Sequence, residues 1–96
     1  MTQSPLIGQF LFDEENIEKL AGHGLNPIQV SQVLLNPYTR LPNRRGRRAP
    51  YVIIGTDNGG MCLAIPVEAT TFPAVWRPVT AWRCKESERQ KLPVRR

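Results

Sequence analysis

Three consecutive stretches constrain this chain most: Tyr51-Val52-Ile53-Ile54-Gly55-Thr56, the turn Asp57-Asn58-Gly59-Gly60, and Met61-Cys62-Leu63-Ala64-Ile65-Pro66-Val67. A β-branched run favours a strand, and Asx-Gly chemistry between two apolar runs is a strong local signal for a hairpin. An antiparallel pair therefore anchors the fold. After a connection containing Thr and Pro, residues Val75 to Arg83 read as a final strand. Pro66 and Pro78 have no N–H for a ladder, so each belongs at a sheet edge, a bulge or a strand end.

The chain ahead of the hairpin has helical punctuation. A short apolar segment, Gly8 to Phe12, reads as a first strand, and Asp13 follows as an N-cap with Glu14 and Glu15 in the first helical turn. Ile17, Leu20 and Ala21 form one apolar face, and Gly22-His23-Gly24 ends the helix. Asn26 then caps a second helix with Pro27 at its first position; Ile28, Val30, Val33 and Leu34 supply its apolar face, and Asn36-Pro37 stops it. Tyr38 to Pro50 reads as a loop or irregular hairpin, and Lys85 to Arg96 as a basic tail with one or two helical turns before Pro93. The expected architecture is α+β in two layers, an N-terminal strand and two short helices on a mostly antiparallel sheet of three to four strands. One domain over residues 1–92 and a tail over residues 93–96 account for the chain.

Ninety-six residues support a single core, which excludes large multidomain enzymes. The composition, 41% hydrophobic and 22% charged, is that of a folded domain, and no apolar run approaches the roughly 18–20 residues that cross a bilayer. The net charge of +5 is unevenly placed. Residues 1–36 carry four acidic side chains against Lys19, a net of −3, and residues 37–96 carry twelve basic against four acidic, a net of +8. Such asymmetry points to a polyanion, most often nucleic acid, or to an acidic protein.

Cys62 and Cys84 lie 22 positions apart with no CxxC pattern and a single histidine in the chain, so no metal site is expected. Both read as buried thiols in a reducing cytoplasm, because Met1 to Gly8 has neither the basic start nor the apolar segment of a signal peptide.

The stretch from Phe12 through His23-Gly24 to Pro27, the Gly55-Thr56 and Gly59-Gly60 hairpin, and Trp76-Arg77-Pro78-Val79-Thr80-Ala81-Trp82-Arg83 together resemble the BrnT-type toxin family, over about residues 10 to 92. The resemblance implies a fold related to RelE-type ribonucleases, RNA cleavage without a cofactor, and a partner antitoxin that often binds DNA. It carries His23, Arg77, Arg83 and Glu88 as catalytic candidates and Arg89 as an RNA contact. One departure stands out: the family arginine after the strand-ending alanine is replaced by Trp82, with Arg83 one position later. On an alternating strand, that shift sends the side chain to the other face.

Metal-independent RNA cleavage needs proton transfer at the 2′-OH and the leaving oxygen, together with cations for the phosphorane charge. His23 is the one side chain that ordinarily titrates near neutrality; its bland alternative is to cap the first helix or bond the inter-helix turn. Arg40, Arg44, Arg45, Arg47 and Arg48 fall within nine residues and read as a phosphate-tracking loop, as a solvated loop, or as a dock for an acidic antitoxin. Trp76 and Trp82, six apart, share a face of a regular strand and either stack on bases or pack in the core. Glu86 and Glu88 are candidate bases or ion-pair partners of Arg89 and Lys91. Three functions follow: a ribonuclease toxin, a non-catalytic RNA- or protein-binding module of the same fold using the arginine loop, and a phage or accessory interaction protein whose arginines dock an acidic host surface.

Overall fold

The computed structural model describes residues 7–93. The chain runs β1 (Gln9–Phe10), α1 (Glu14–Gly22), α2 (Pro27–Gln32), a 3-10 turn (Val33–Leu35), β2 (Tyr38–Pro42), β3 (Tyr51–Thr56), β4 (Cys62–Ala69), β5 (Val75–Pro78), β6 (Trp82–Arg83) and α3 (Glu86–Arg89). Apart from Pro93, the expected tail over residues 93–96 lies outside the described residues.

Capping sets the helix starts. Asp13 Oδ1 accepts from the Asn16 backbone N–H at 2.9 Å, and Asn16 Oδ1 accepts from the Asp13 N–H at 2.8 Å, so two otherwise unpaired donors are satisfied reciprocally. At the second helix the cap is one-sided: Asn26 Oδ1 accepts from the Gln29 backbone N–H at 2.8 Å, ahead of Pro27. Leu20, Leu25, Val30 and Val33 then face the sheet and bury against Ile53, Leu63, Ile65 and Val67. The helical layer approaches very closely at Gly55, where an added Cβ would lie 2.6 Å from Val33 Cγ1 and 2.9 Å from Tyr38 Cβ.

The fold is α+β, and its sheet is wider and less uniform than expected: six strands, ordered β1-β5-β4-β3-β2 with β6 beside β4. The Asp57–Gly60 turn joins β3 and β4 in an antiparallel ladder from Tyr51 opposite Val67 to Thr56 opposite Cys62. β1 runs parallel to β5, which makes the sheet mixed.

Three expectations need correction. Tyr38–Pro42 is a strand, not loop; its five residues pair with β3 and leave only residues 43–50 as the turn region. Pro42 is tolerated because it closes an edge strand. The expected final strand is two strands. Glu68 stands opposite Arg77 and Ala64 opposite Trp82, so the register slips by one residue between β5 and β6, and Thr80 with Ala81 oppose Ile65 as in a bulge. The extra residue turns Trp82 away from the face that Trp76 occupies: Trp76 packs in the helix-side core and Trp82 against Ile54, Cys62 and Ala64 on the other. The cysteines are not thiols either, because β6 brings Cys84 beside β4, its N–H donates to the Cys62 carbonyl at 2.9 Å, and the two form a disulfide. Spacing along the chain could not show that the bulge aligns them. No helix among the described residues is long and apolar enough to cross a membrane.

Candidate nucleic-acid interface

Successive strand residues alternate between faces, so Val52 and Pro66 lie on the side of the sheet opposite the two N-terminal helices. With Val79 they floor an open groove of about 520 Å³. One wall is the β2–β3 loop, with Asn43, Arg44, Arg47, Arg48 and Ala49. The other wall is the segment after the bulge, with Thr80, Trp82, Lys85 and Glu88.

The loop wall is shaped by its own hydrogen bonds. The Asn43 backbone N–H donates to the Pro50 carbonyl at 2.9 Å and its Nδ2 to the Ala49 carbonyl at 2.8 Å, closing the base. At the tip the Arg47 N–H donates to the Arg44 carbonyl at 3.2 Å, and Gly46 takes the φ of +84° that reverses the chain. Arg44 and Arg47 are exposed and, among the described residues, pair with no carboxylate. Lys85 stands across from them in the same condition. Two arginines and a lysine thus rim an apolar floor.

Glu88 belongs to this groove but is engaged. Its carboxylate accepts from Trp82 Nε1 at 3.1 Å and from the Lys85 backbone N–H at 2.8 Å, so it caps α3 and fixes the indole instead of pairing with Arg89 or Lys91. Arg48 is engaged as well: its Nε and Nη2 make a forked pair with Glu68 at 3.1 and 3.0 Å. Glu68 also accepts from Arg77 Nη1 at 2.8 Å.

Arg77 is the centre of an ionic hub beside the groove. Its side chain is 11% exposed, and four of its five N–H groups go to three carboxylates: two to Asp13, at 2.6 and 3.0 Å, one to Glu15 at 2.6 Å and one to Glu68. The guanidinium beside Asp13, helped by the Asn16 N–H, lowers that carboxyl from 3.8 to about 2. Burial pushes Glu68 up, but the bonds from Arg48 and Arg77 outweigh it and hold the carboxyl below the ordinary range. An arginine so committed ties α1, β4 and β5 together and has one N–H left for any phosphate.

The remaining candidates are dispersed. His23 is exposed at the C-cap of α1, on the helical layer, where its backbone N–H donates to the Leu20 carbonyl at 2.9 Å; it lines no part of the groove. Arg40 sits on β2 opposite Ile53, on the helix side, with its guanidinium 4.3 Å from the Tyr51 ring centroid. Strand alternation thus separates it from the loop arginines beside which it stands in sequence. Arg45, Arg83 and Arg89 are exposed and outside the groove. Among the described residues no cluster of His, Cys, Asp or Glu could hold a metal.

Lys85, Asn43 and the ionic partners Asp13, Glu15 and Glu68 escaped the sequence reading. Asp13 carried the one usable signal, a cap whose second oxygen remains free for a cation. On the helical layer, exposed Ile28 and Leu35 line a separate shallow apolar trough with Phe12 and Pro27. Comparison with family models, with curated proteins and with solved structures finds no match for this chain.

Proposed function

We propose that the protein is a single-stranded RNA-binding module that holds the strand in the groove between the arginine loop and β6. The observation that carries this reading is the placing of Arg44, Arg47 and Lys85 around a floor of Val52, Pro66 and Val79, with Trp82 in the wall. Cations at the rim track phosphates, and an apolar, aromatic interior takes unstacked bases, the combination by which single strands are held without base-specific hydrogen bonds. The resemblance to the BrnT-type toxins supports RNA as the strand. It also suggests a RelE-like ancestry, an antitoxin partner and a cytoplasmic setting. Binding is favoured over cleavage because the residues proposed for proton transfer and charge stabilisation do not converge: His23 stands on the helical layer, Arg77 in the hub, and Glu88 bonds Trp82 and the Lys85 backbone.

Fluorescence anisotropy with a short uridine-rich RNA across a salt series tests the reading. The Arg44→Ala/Arg47→Ala variant is expected to bind more weakly and to flatten the slope of log K against log salt by about 0.7 for each phosphate no longer neutralised. Absence of binding at low salt, or an unchanged slope in the variant, defeats the proposal. Cleavage of the same RNA, abolished by His23→Ala, would restore the ribonuclease reading.

A further inference from the structure

We propose that the Cys62–Cys84 disulfide is a redox switch on the groove, an inference that rests on the RNA-binding reading above. The start of this wall is held independently, with Ala81 fully buried in the helix-side core and the Val79 N–H bonded to the Pro66 carbonyl at 2.8 Å, but the stretch beyond it that carries Trp82, Lys85 and Glu88 is attached to the sheet by little else. β6 contributes two residue pairs, Leu63 with Arg83 and Ala64 with Trp82, followed by the single hydrogen bond from Cys84 to Cys62. α3 is four residues long and buries none of its side chains. What remains is the packing of Trp82, Cys84 and Leu92 on Ile54, Cys62 and Ala64, and the disulfide sits within that cluster.

The opposite wall has no such dependence, since β2 is bonded to β3 along five residue pairs and the loop closes on itself. Breaking the disulfide therefore loosens one wall selectively and leaves the arginine loop in place. Segments with little buried packing open first, and a groove competent for only a fraction of the time binds with its affinity reduced by that fraction. In a cytosol that keeps thiols reduced, a disulfide is more often a sensor than a staple.

The exchange chemistry is ordinary. Cys84 is half-buried and Cys62 is 6% exposed, so the thiolate of a dithiol reductant attacks Cys84 Sγ. Cys62 leaves as a thiolate and takes a proton, and the reductant's second thiol then attacks the mixed disulfide and releases Cys84. Two electrons and two protons pass to the protein as the dithiol closes to its own disulfide. A small-molecule disulfide reverses the process.

The test uses the full chain, oxidised or reduced with dithiothreitol, the uridine-rich RNA, and amide hydrogen exchange. Reduction should weaken binding about fivefold or more. It should also speed exchange over residues 82–93 while residues 51–56 stay protected, with oxidised glutathione restoring both. Cys62→Ala/Cys84→Ala should behave as the reduced protein and ignore the reductant. Equal affinity and exchange in both forms overturns the proposal. So does free thiol at both cysteines under oxidising conditions, or a loss of protection throughout the chain, which would make the disulfide a global staple. If neither form binds RNA, the binding reading fails by itself, and the exchange comparison alone decides whether the wall is redox-gated.

Discussion

Gly55 shows how one hydrogen in place of a side chain sets the depth of the helical layer. Its neighbours at the missing Cβ are Val33 and Tyr38, the first holding the 3-10 turn down and the second opening β2. Gly55→Ala must push one of them away, and overpacking of this kind costs about 1–3 kcal/mol. Urea unfolding is expected to show a lower midpoint with an unchanged slope. Asn16 is the complementary case, a fully buried polar residue whose side-chain donors are both used and whose oxygen is bonded. Its Nδ2 donates to the carbonyls of Leu11 at 3.0 Å and Pro78 at 2.9 Å while its Oδ1 caps Asp13. Asn16→Ala strands both carbonyls, and a loss of about 2–4 kcal/mol is expected in the same measurement.

Elements in this protein are tied at their ends as much as along their lengths. The N-terminus of α1 reaches β5 through Asn16 and Arg77, and the β2–β3 loop reaches β4 through Arg48 and Glu68. The hub makes these ties sensitive to acid. Asp13 and Glu68 have folded-state pKa values below their ordinary ones, so the stability they contribute is complete above the ordinary values and is lost as pH falls through the folded ones. The melting temperature should hold down to about pH 5, just above the ordinary value of Glu68, and fall between there and about pH 2, the value that Asp13 reaches in the fold. Arg77→Ala should lower the plateau and shrink the acid-dependent drop; an equally steep drop in the variant would show that the hub does not set it. Circular dichroism melts at stepped pH provide the measurement.

For the whole molecule, charge and layering coincide only in part. α1, which with its cap Asp13 carries four of the eight acidic side chains, lies with α2 on one face of the sheet, and the uncompensated cations of the groove, Arg44, Arg47 and Lys85, stand on the other. Much of the basic excess is nevertheless spent internally. Arg48 and Arg77 are held by carboxylates, and Arg40 lies over Tyr51. The five arginines of residues 40–48 are one run in the chain and three environments in space: strand face, loop tip and ion pair. Salt dependence measured on the groove variants reads the loop tip alone.

Local signals in the residues carried much of the fold. The Asp57–Gly60 turn, the Asp13 and Asn26 caps and the β-branched runs act over a few positions, so the central hairpin, both N-terminal helices and the α+β class were legible from them. Of the five arginines read as one loop, Arg44, Arg45 and Arg47 stand exposed on it, while Arg40 falls on a strand and Arg48 in an ion pair. What the chain could not disclose depended on pairing between distant segments. A one-residue bulge between β5 and β6 decides that Trp82 leaves the face of Trp76, that Cys84 meets Cys62, and that Lys85 and Glu88 line the groove. Asp13, Glu15 and Glu68 converge on Arg77 only because a parallel strand places the start of α1 beside β5. Register across a sheet is set by how a whole face packs, which no short window of residues contains.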